Sequence, residues 1–369
     1  MKKLVMTATL TLIASLSAAL YASTVVGSRI TQPSIPADQR EKTGIQVDVT
    51  SKIRALESTD PRIRATAACE LRSAGKDAAP AIPMLIKMLV DDTPVAWIDC
   101  EREGRFRNGD GNNEDNSPGK EAALALVAIG DEAIEPLINH LRHTDWHARK
   151  NSAFALGLIK NAHTVEPLID SLKDSAWQVR AQAAWGLGLK HDQRVVEPLI
   201  GALRDGDWQV REKASWALGL QGDKRSVEPL STALTDVSDQ VREQAAWALG
   251  LKGDSGSVEP LMSALRDQNA KVRSQAAWAL GLKGDKRAVE SLTSALKDSD
   301  ANVRSQAAWA LGLKGDHRAL EALNAAMKDD DKQVRRQATW ALGMILMRDP
   351  HAGDSGIDIK IPTKMEVEK

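Results

Sequence analysis

The sequence predicts an all-α fold, a right-handed α-α solenoid of about nine helical hairpins with a 31-residue period. Three observations predict it. Arg149, Arg180, Arg211, Arg242, Arg273, Arg304 and Arg335 recur every 31 residues, and Trp185, Trp216, Trp247, Trp278, Trp309 and Trp340 recur in step with them. Each unit, as in SVEPLSTALTDVSDQVREQAAWALGLKGD, holds two apolar-periodic segments parted by an Asp-rich turn and closed by Gly-Asp, which are helix stop and start signals. A hairpin this short cannot bury its apolar face alone, so neighbouring units must stack and share one core.

Taken in order, MKKLVMTATLTLIASLSAALYA (residues 1–22) has two lysines, an apolar run and small residues at Ala19 and Ala22, the pattern of a cleavable export signal. Residues 4–22 are also nearly long enough to cross a bilayer, so membrane contact is expected only if this segment stays uncleaved. Residues 23–44 are polar and proline-bearing without helical period and read as a linker. The repeat region is expected over 45–346, as a single elongated unit. DPRIRATAACELRSAG (60–75) aligns with the second helix of the repeat, with Arg64 at the Arg position and Cys69 at the Trp position. PAIPMLIKML (80–89) and GKEAALALVAIG (119–130) read as one hairpin interrupted by an irregular loop over 99–118, and residues 347–369 form a tail.

Charge excludes little and includes less. The formal charge is -1, and without the first 22 residues, which carry two bases and no acid, 47 bases face 50 acids. That balance gives no electrostatic footprint for nucleic acid. Acids gather in the turns before second helices and bases after them, as helix dipoles favour.

The pattern VEPLxxALxDxxxxVRxxAAxALG resembles the HEAT repeats, in particular the short HEAT-like repeats of phycobilin lyases. The resemblance covers about residues 50–346. It implies that the second helix of each pair lines the concave side, and that Asp174 with Arg180, and their equivalents, bond across adjacent repeats.

Only 4% of residues are aromatic, yet ten of them are Trp, so indoles are placed here by a rule. With Val241 at zero and 100° per residue, Ala245, Ala248, Leu249 and Lys252 share its side and face the hairpin partner, while Ala246, Trp247 and Gly250 lie on the far side. Trp247 is then either a ridge in the small-residue groove of a neighbouring helix or part of a binding strip, and both readings stay open. HEAT-like units commonly end ALGxIGD, whereas the middle units here end ALGLKGD. That shift puts Leu189, Leu220, Leu251, Leu282 and Leu313 on the Trp face and Lys190, Gln221, Lys252, Lys283 and Lys314 where the outer units have isoleucine. Trp146, Trp177 and Trp208 form a second set in the first turn of three consecutive second helices and then stop while the repeat continues, which points to a local binding patch, with packing at the rim as the alternative.

Chemistry-bearing constellations are few. Cys69 and Cys100 are the only cysteines, and in an exported chain an even count predicts a disulfide. Asp110, Asn112, Glu114 and Asn116 alternate as in some calcium loops, but the glycine such loops need is replaced by Asp115, and a solvated loop is expected. His143 and His147 are the one HxxxH pair and lack a further ligand set in the sequence. No nucleophile elbow, P-loop or dinucleotide fingerprint occurs, nor the His-Glu dipeptides of the HEAT-like deoxyhypusine hydroxylases. No catalytic residue, metal or cofactor is assigned.

The expectation is therefore an exported, non-catalytic scaffold that binds a protein partner along its Trp-lined surface. A glycan-binding module is the first alternative, since aromatic strips stack on sugar rings. A tetrapyrrole-binding or lyase-like protein is the second.

Overall fold

The computed structural model describes residues 47–95, 116–252 and 254–348. The expected export signal, linker and C-terminal tail lie outside the described residues, as do Trp97, Cys100 and most of the irregular loop. Among the described residues the structure is all-α with no strand, an α-α solenoid. They fall into two compact units that divide between Ala155 and Leu156.

In the first unit, Val49–Ala55 (α1) pairs with Pro61–Ala74 (α2) and Ile82–Met88 (α3) with Pro118–Ile129 (α4). Ile134–His140 (α5) and Trp146–Leu158 (α6) follow, and the division falls within α6. The second unit continues with six regular hairpins. They are Val165–Ser171 (α7) with Trp177–Gly188 (α8), Val196–Ala202 (α9) with Trp208–Gln221 (α10), and Val227–Ala233 (α11) with Asp239–Lys252 (α12). Val258–Ala264 (α13) with Ala270–Lys283 (α14), Val289–Ala295 (α15) with Ala301–Lys314 (α16), and Leu320–Ala326 (α17) with Lys332–Arg348 (α18) complete it. Within the second unit each second helix packs on its own first helix and on the neighbouring second helices of that unit, and in the first unit α2 packs on α4.

The turn chemistry acts where the sequence placed it. Gly222, Gly284 and Gly315 end α10, α14 and α16 at φ of 66°, 68° and 64°, a left-handed conformation that favours glycine. The next residue, Asp223, Asp285 or Asp316, accepts the backbone N–H two residues on and starts a short 3-10 turn leading into the following first helix.

The Arg ladder ties repeat to repeat. Arg180, Arg211, Arg242, Arg273 and Arg304 each grip a carboxylate with Nε and Nη2, on Asp205, Asp236, Asp267, Asp298 and Asp329 of the next repeat, at 2.7–2.9 Å. This corrects the pairing of Asp174 with Arg180 across repeats that the resemblance implied. Arg180 donates Nη1 to the Asp174 backbone carbonyl within its own turn, and the carboxylate it holds belongs to Asp205. Burial pushes the Asp267 carboxyl up, but the Arg242 hydrogen bond, the Asn269 N–H and the nearby guanidinium charges outweigh it and leave it below the usual carboxylate range.

The shifted lysines have a related task. Lys190 is buried, and its Nζ donates to the carbonyls of Leu156 at 2.6 Å and Ile159 at 2.5 Å. Gln221 does the same to Leu187 and Gly188, and Lys314 to Leu280. At these three positions the residue that replaces isoleucine caps the C-terminal carbonyls of the preceding second helix, and at Lys190 and Lys314 a cation meets the negative end of the dipole. Burial pushes Lys190, Lys283 and Lys314 down to about 8. Between about pH 8 and the ordinary lysine value near 10.4, the unfolded chain holds these protons and the folded chain sheds them. Stability from these groups therefore rises with pH across that window. Urea unfolding of wild type is expected to shift to higher midpoint from pH 8 to pH 10, and Lys314→Gln, which keeps the cap as Gln221 does, should show a smaller rise; an equal rise in both would contradict it.

Candidate functional site: the second-helix surface and its tryptophans

The two Trp sets have different surroundings. In the ladder, each indole lies against the glycine of the repeat before it. A Cβ placed on Gly188 would lie 2.8 Å from Trp216 Cζ3, one on Gly219 3.0 Å from Trp247 Cζ3, one on Gly250 2.6 Å from Trp278 Cζ3, and one on Gly281 2.7 Å from Trp309 Cζ3. Gly157 stands in the same relation to Trp185 and Gly312 to Trp340. From Gly188 to Gly312 an alanine completes each groove, as Ala279 does beside Trp278 on Gly250, and at Gly157 the Gly186 Cα takes that place. This is ridge-in-groove packing, with a flat indole as the ridge and a missing Cβ as the groove.

Burial follows from that geometry. Trp247, Trp278 and Trp309 are 8%, 3% and 9% exposed, while Trp185, Trp216 and Trp340 are half-buried. The seam reading of the ladder is what the packing shows for its three central members. The leucines four residues on are more open: Leu282 is exposed and Leu189, Leu220, Leu251 and Leu313 are half-buried.

The second set lies eight residues before the ladder on the same helices, and two steps of four residues keep them on one stripe. Trp177 is half-buried and, like Leu172 and Leu203, packs on the buried cluster of Ala181, Ala202, Val210 and Ala214. Trp208 is 39% exposed. It lines a shallow hollow with Gly206, Arg211, Val237, Ser238 and Gln240, and Val237 is 93% exposed. Trp146, in the first unit, is half-buried, stacks on His147 with ring centroids 3.7 Å apart, and has Lys150 Nζ 5.3 Å from its ring centroid.

Between the two Trp tiers stand Glu212 on α10 and Glu243 on α12. Burial holds the Glu243 carboxyl above the usual range; the Lys271 charge opposes this, and the charges of Asp239 and Glu212 add to it.

The remaining candidates are differently placed. His147 Nδ1 is 2.8 Å from Asp145 Oδ1, and its Nε2 is 3.7 Å from Asp92 Oδ2. His143 Nδ1 accepts the Asp145 N–H at 3.0 Å, so the HxxxH pair is engaged in local bonds. Among the described residues no group of three or more His, Cys, Asp or Glu side chains is arranged to hold a metal. Cys69 is buried beside Ala65 and Val95 and carries no free thiol. Its expected partner Cys100 lies outside the described residues, as do Asp110, Asn112 and Glu114, and the Cys69–Cys100 pairing stands as a proposal.

The repeat unit itself decides the family. A family model of HEAT repeats matches residues 165–250 and 258–343, and one of the PBS lyase HEAT-like repeat matches 120–143 and 241–267. The chain belongs to the HEAT-repeat family. Among solved structures, HEAT-type architecture recurs in importin β, at 16% identity and TM-score 0.61, covering 83% of this chain and 49% of importin β. It recurs in the E. coli protein YibA, at 24% identity and TM-score 0.51, covering 61% of this chain and 87% of that one. The complex of CpcE and CpcF of phycocyanin lyase from a Nostoc species is similar at 26% identity and TM-score 0.40, covering 58% and 88%. No curated protein sequence matches. At these identities the likeness to importin β and YibA establishes the fold.

Sequence reasoning placed the Trp residues but missed two functions of their neighbours. The lysine cap was visible as a shift in register without its carbonyl partners, which lie 31 and 34 residues earlier. The hollow at Trp208 depends on Val237, a turn residue of the next repeat that no single-helix pattern singles out.

Proposed function

We propose that this HEAT-repeat protein is a non-catalytic scaffold of the cell envelope that binds an extended protein segment on the second-helix surface of α8 and α10. The observation that carries this reading is the hollow of Trp208 and Val237, two large apolar side chains left open beside polar neighbours. Trp is the residue most enriched in binding hot spots, and a rigid helical surface suits an extended chain. Trp177, Trp185, Trp216 and Leu220 continue the apolar strip around it, with Glu212 and Glu243 offering carboxylates to basic side chains of the partner. Trp247, Trp278, Trp309 and Trp340 support that surface from the seam. HEAT solenoids commonly bind proteins, which supports this class over catalysis and over a lyase-like role.

The test is crosslinking in the native envelope fraction, with wild type beside Trp208→Gln. The variant should remain folded, as circular dichroism and a cooperative unfolding transition would show, and the captured protein should be lost. Retention of the same partner by the folded variant would sink the proposal. Binding to insoluble polysaccharide that depends on Trp208, with no protein captured, would transfer the site to a glycan ligand.

Export belongs to the same proposal and rests on residues 1–22. The envelope protein should begin at Ser23 on N-terminal sequencing, and a cytoplasmic protein that retains Met1 would contradict it.

A further inference from the structure

On the second-helix stripe, the residue four places before each ladder Trp changes from repeat to repeat: Ala181 on α8, Glu212 on α10, Glu243 on α12 and Ser274 on α14. The carboxylates of this row stand in the two repeats that form the hollow of Trp208 and Val237. Along α10, Trp208, Glu212 and Trp216 follow at four-residue steps, about 6 Å apart on the axis. Glu243 is the equivalent of Glu212 on the neighbouring helix, and packed helices lie about 8–10 Å apart. The two carboxyl groups are close enough for the Glu212 charge to act on Glu243.

Both are drawn out of water. The Glu212 side chain is 20% exposed, and Lys213 Nζ meets its Oε1 at 3.4 Å, a long contact from a side chain that is itself 41% exposed. Glu243 is half-buried, and burial holds its carboxyl above the usual range; exposed Lys271 opposes this, and Asp239 and Glu212 add to it. Asp236 shows the contrast. Burial acts on it in the same direction, but the forked Arg211 guanidinium, the Ser238 N–H and nearby positive charge leave its carboxyl below the usual range. Two partly desolvated carboxylates side by side are unfavourable until a cation meets them.

The cation that suits this place is a guanidinium. It is planar, stacks on an indole and forks to carboxylates, whereas a lysine ammonium is a compact and strongly hydrated point charge. Indoles stand one helical turn to either side of Glu212, at Trp208 and Trp216. The spacing suits an extended chain, in which side chains two residues apart share one face at about 6.7 Å, close to the step from the hollow to Glu212. One segment can therefore seat an apolar side chain in the hollow and bring the next side chain of that face between the carboxylates.

Taking this surface as the protein-binding site proposed above, we propose that the bound segment carries an arginine two residues from an apolar side chain, with the apolar group in the hollow of Trp208 and Val237 and the guanidinium between Glu212 and Glu243, beside the Trp208 and Trp216 indoles.

The test titrates three synthetic peptides, acetyl-SLSRSLS-amide and its glutamine and lysine counterparts, into the full chain labelled at the indole nitrogens, with binding followed by nuclear magnetic resonance. Wild type is expected to bind the arginine peptide at least about tenfold tighter than the glutamine peptide, with the lysine peptide between them. Glu212→Gln with Glu243→Gln, which keeps the shape of both side chains, should cut the arginine preference below about threefold. Should that variant not fold, the comparison of the three peptides on wild type decides alone. A lysine peptide that binds as tightly as the arginine peptide would overturn the proposal, and so would an arginine preference that survives in the folded double variant. Equal binding of the arginine and glutamine peptides, lost in Trp208→Gln, would overturn the arginine anchor and leave the protein-binding surface standing. Binding of none of the peptides at millimolar concentration also overturns it, and the envelope crosslinking with Trp208→Gln then decides the wider reading separately.

Discussion

Trp278→Ala is expected to destabilise the repeat region by about 3–5 kcal/mol, the range for deleting a large buried aromatic from a core that cannot collapse around the void. The void cannot close because its opposite wall is backbone. The Trp278 indole lies on Gly250, which has no side chain to move inward, and Ala279 is too short to bridge the gap. The position of the loss matters as well as its size. Stability in stacked repeats is a sum of unit and interface contributions, so weakening the α12–α14 interface should split urea unfolding into two transitions, one for the repeats before it and one for those after. Trp208→Ala, which removes a side chain that is 39% exposed and has no glycine groove behind it, should cost clearly less stability than Trp278→Ala. Similar losses for the two variants would refute the difference in their surroundings.

Gly250→Val attacks the same contact from the groove side. Any side chain at 250 starts with a Cβ 2.6 Å from Trp278 Cζ3, 2.9 Å from Ala279 Cβ and 3.0 Å from Ala279 Cα. The indole is pinned by the next helix and the backbone cannot yield locally, so α12 and α14 must move apart. Overpacking of this kind costs about 1–3 kcal/mol, and a branched side chain should reach the upper end. Gly250→Ala carries an opposing gain of about 1 kcal/mol from helix propensity, so a net loss of up to about 2 kcal/mol is expected. Gly201→Ala is the control: it lies in α9 with nothing within 4 Å of its Cβ, and it should be neutral or stabilising by up to about 1 kcal/mol. Chemical denaturation of the three variants decides the matter, and a stabilised Gly250→Ala would mean that the grooves are not filled.

Much of this architecture was legible in the sequence because a repeat states its own rules several times over. Periodic Arg and Trp, Gly-Asp stops and the alternation of apolar segments specify helix, turn and stacking together. The wheel placed Trp247 opposite Leu249 and beside Gly250, which limited it to a seam or a strip. What a wheel cannot give is how closely two helices approach. That distance is set by Gly219 and Gly250 acting with Ala248 and Ala279 across interfaces, and it decides that Trp247 is buried while Trp208, on the same stripe in another repeat, is open. Lys190 was hidden for a similar reason. A lysine in an apolar position reads as solvated until the carbonyls of Leu156 and Ile159 come within reach of it. The direction of the Arg180 bond also needed coordinates, because Asp174 and Asp205 occupy equivalent positions and only the stacking tells which carboxylate it meets.

The central claim is that the Trp residues divide into a buried seam and an open patch. Limited oxidation of the native protein with N-bromosuccinimide, followed residue by residue by mass spectrometry, tests this directly. Trp208 should be modified first, with Trp177, Trp185 and Trp216 slower, and Trp247, Trp278 and Trp309 protected until the protein unfolds. If Trp278 reacts as fast as Trp208 in the folded protein, the ladder is a surface strip and the account given for the repeat is wrong.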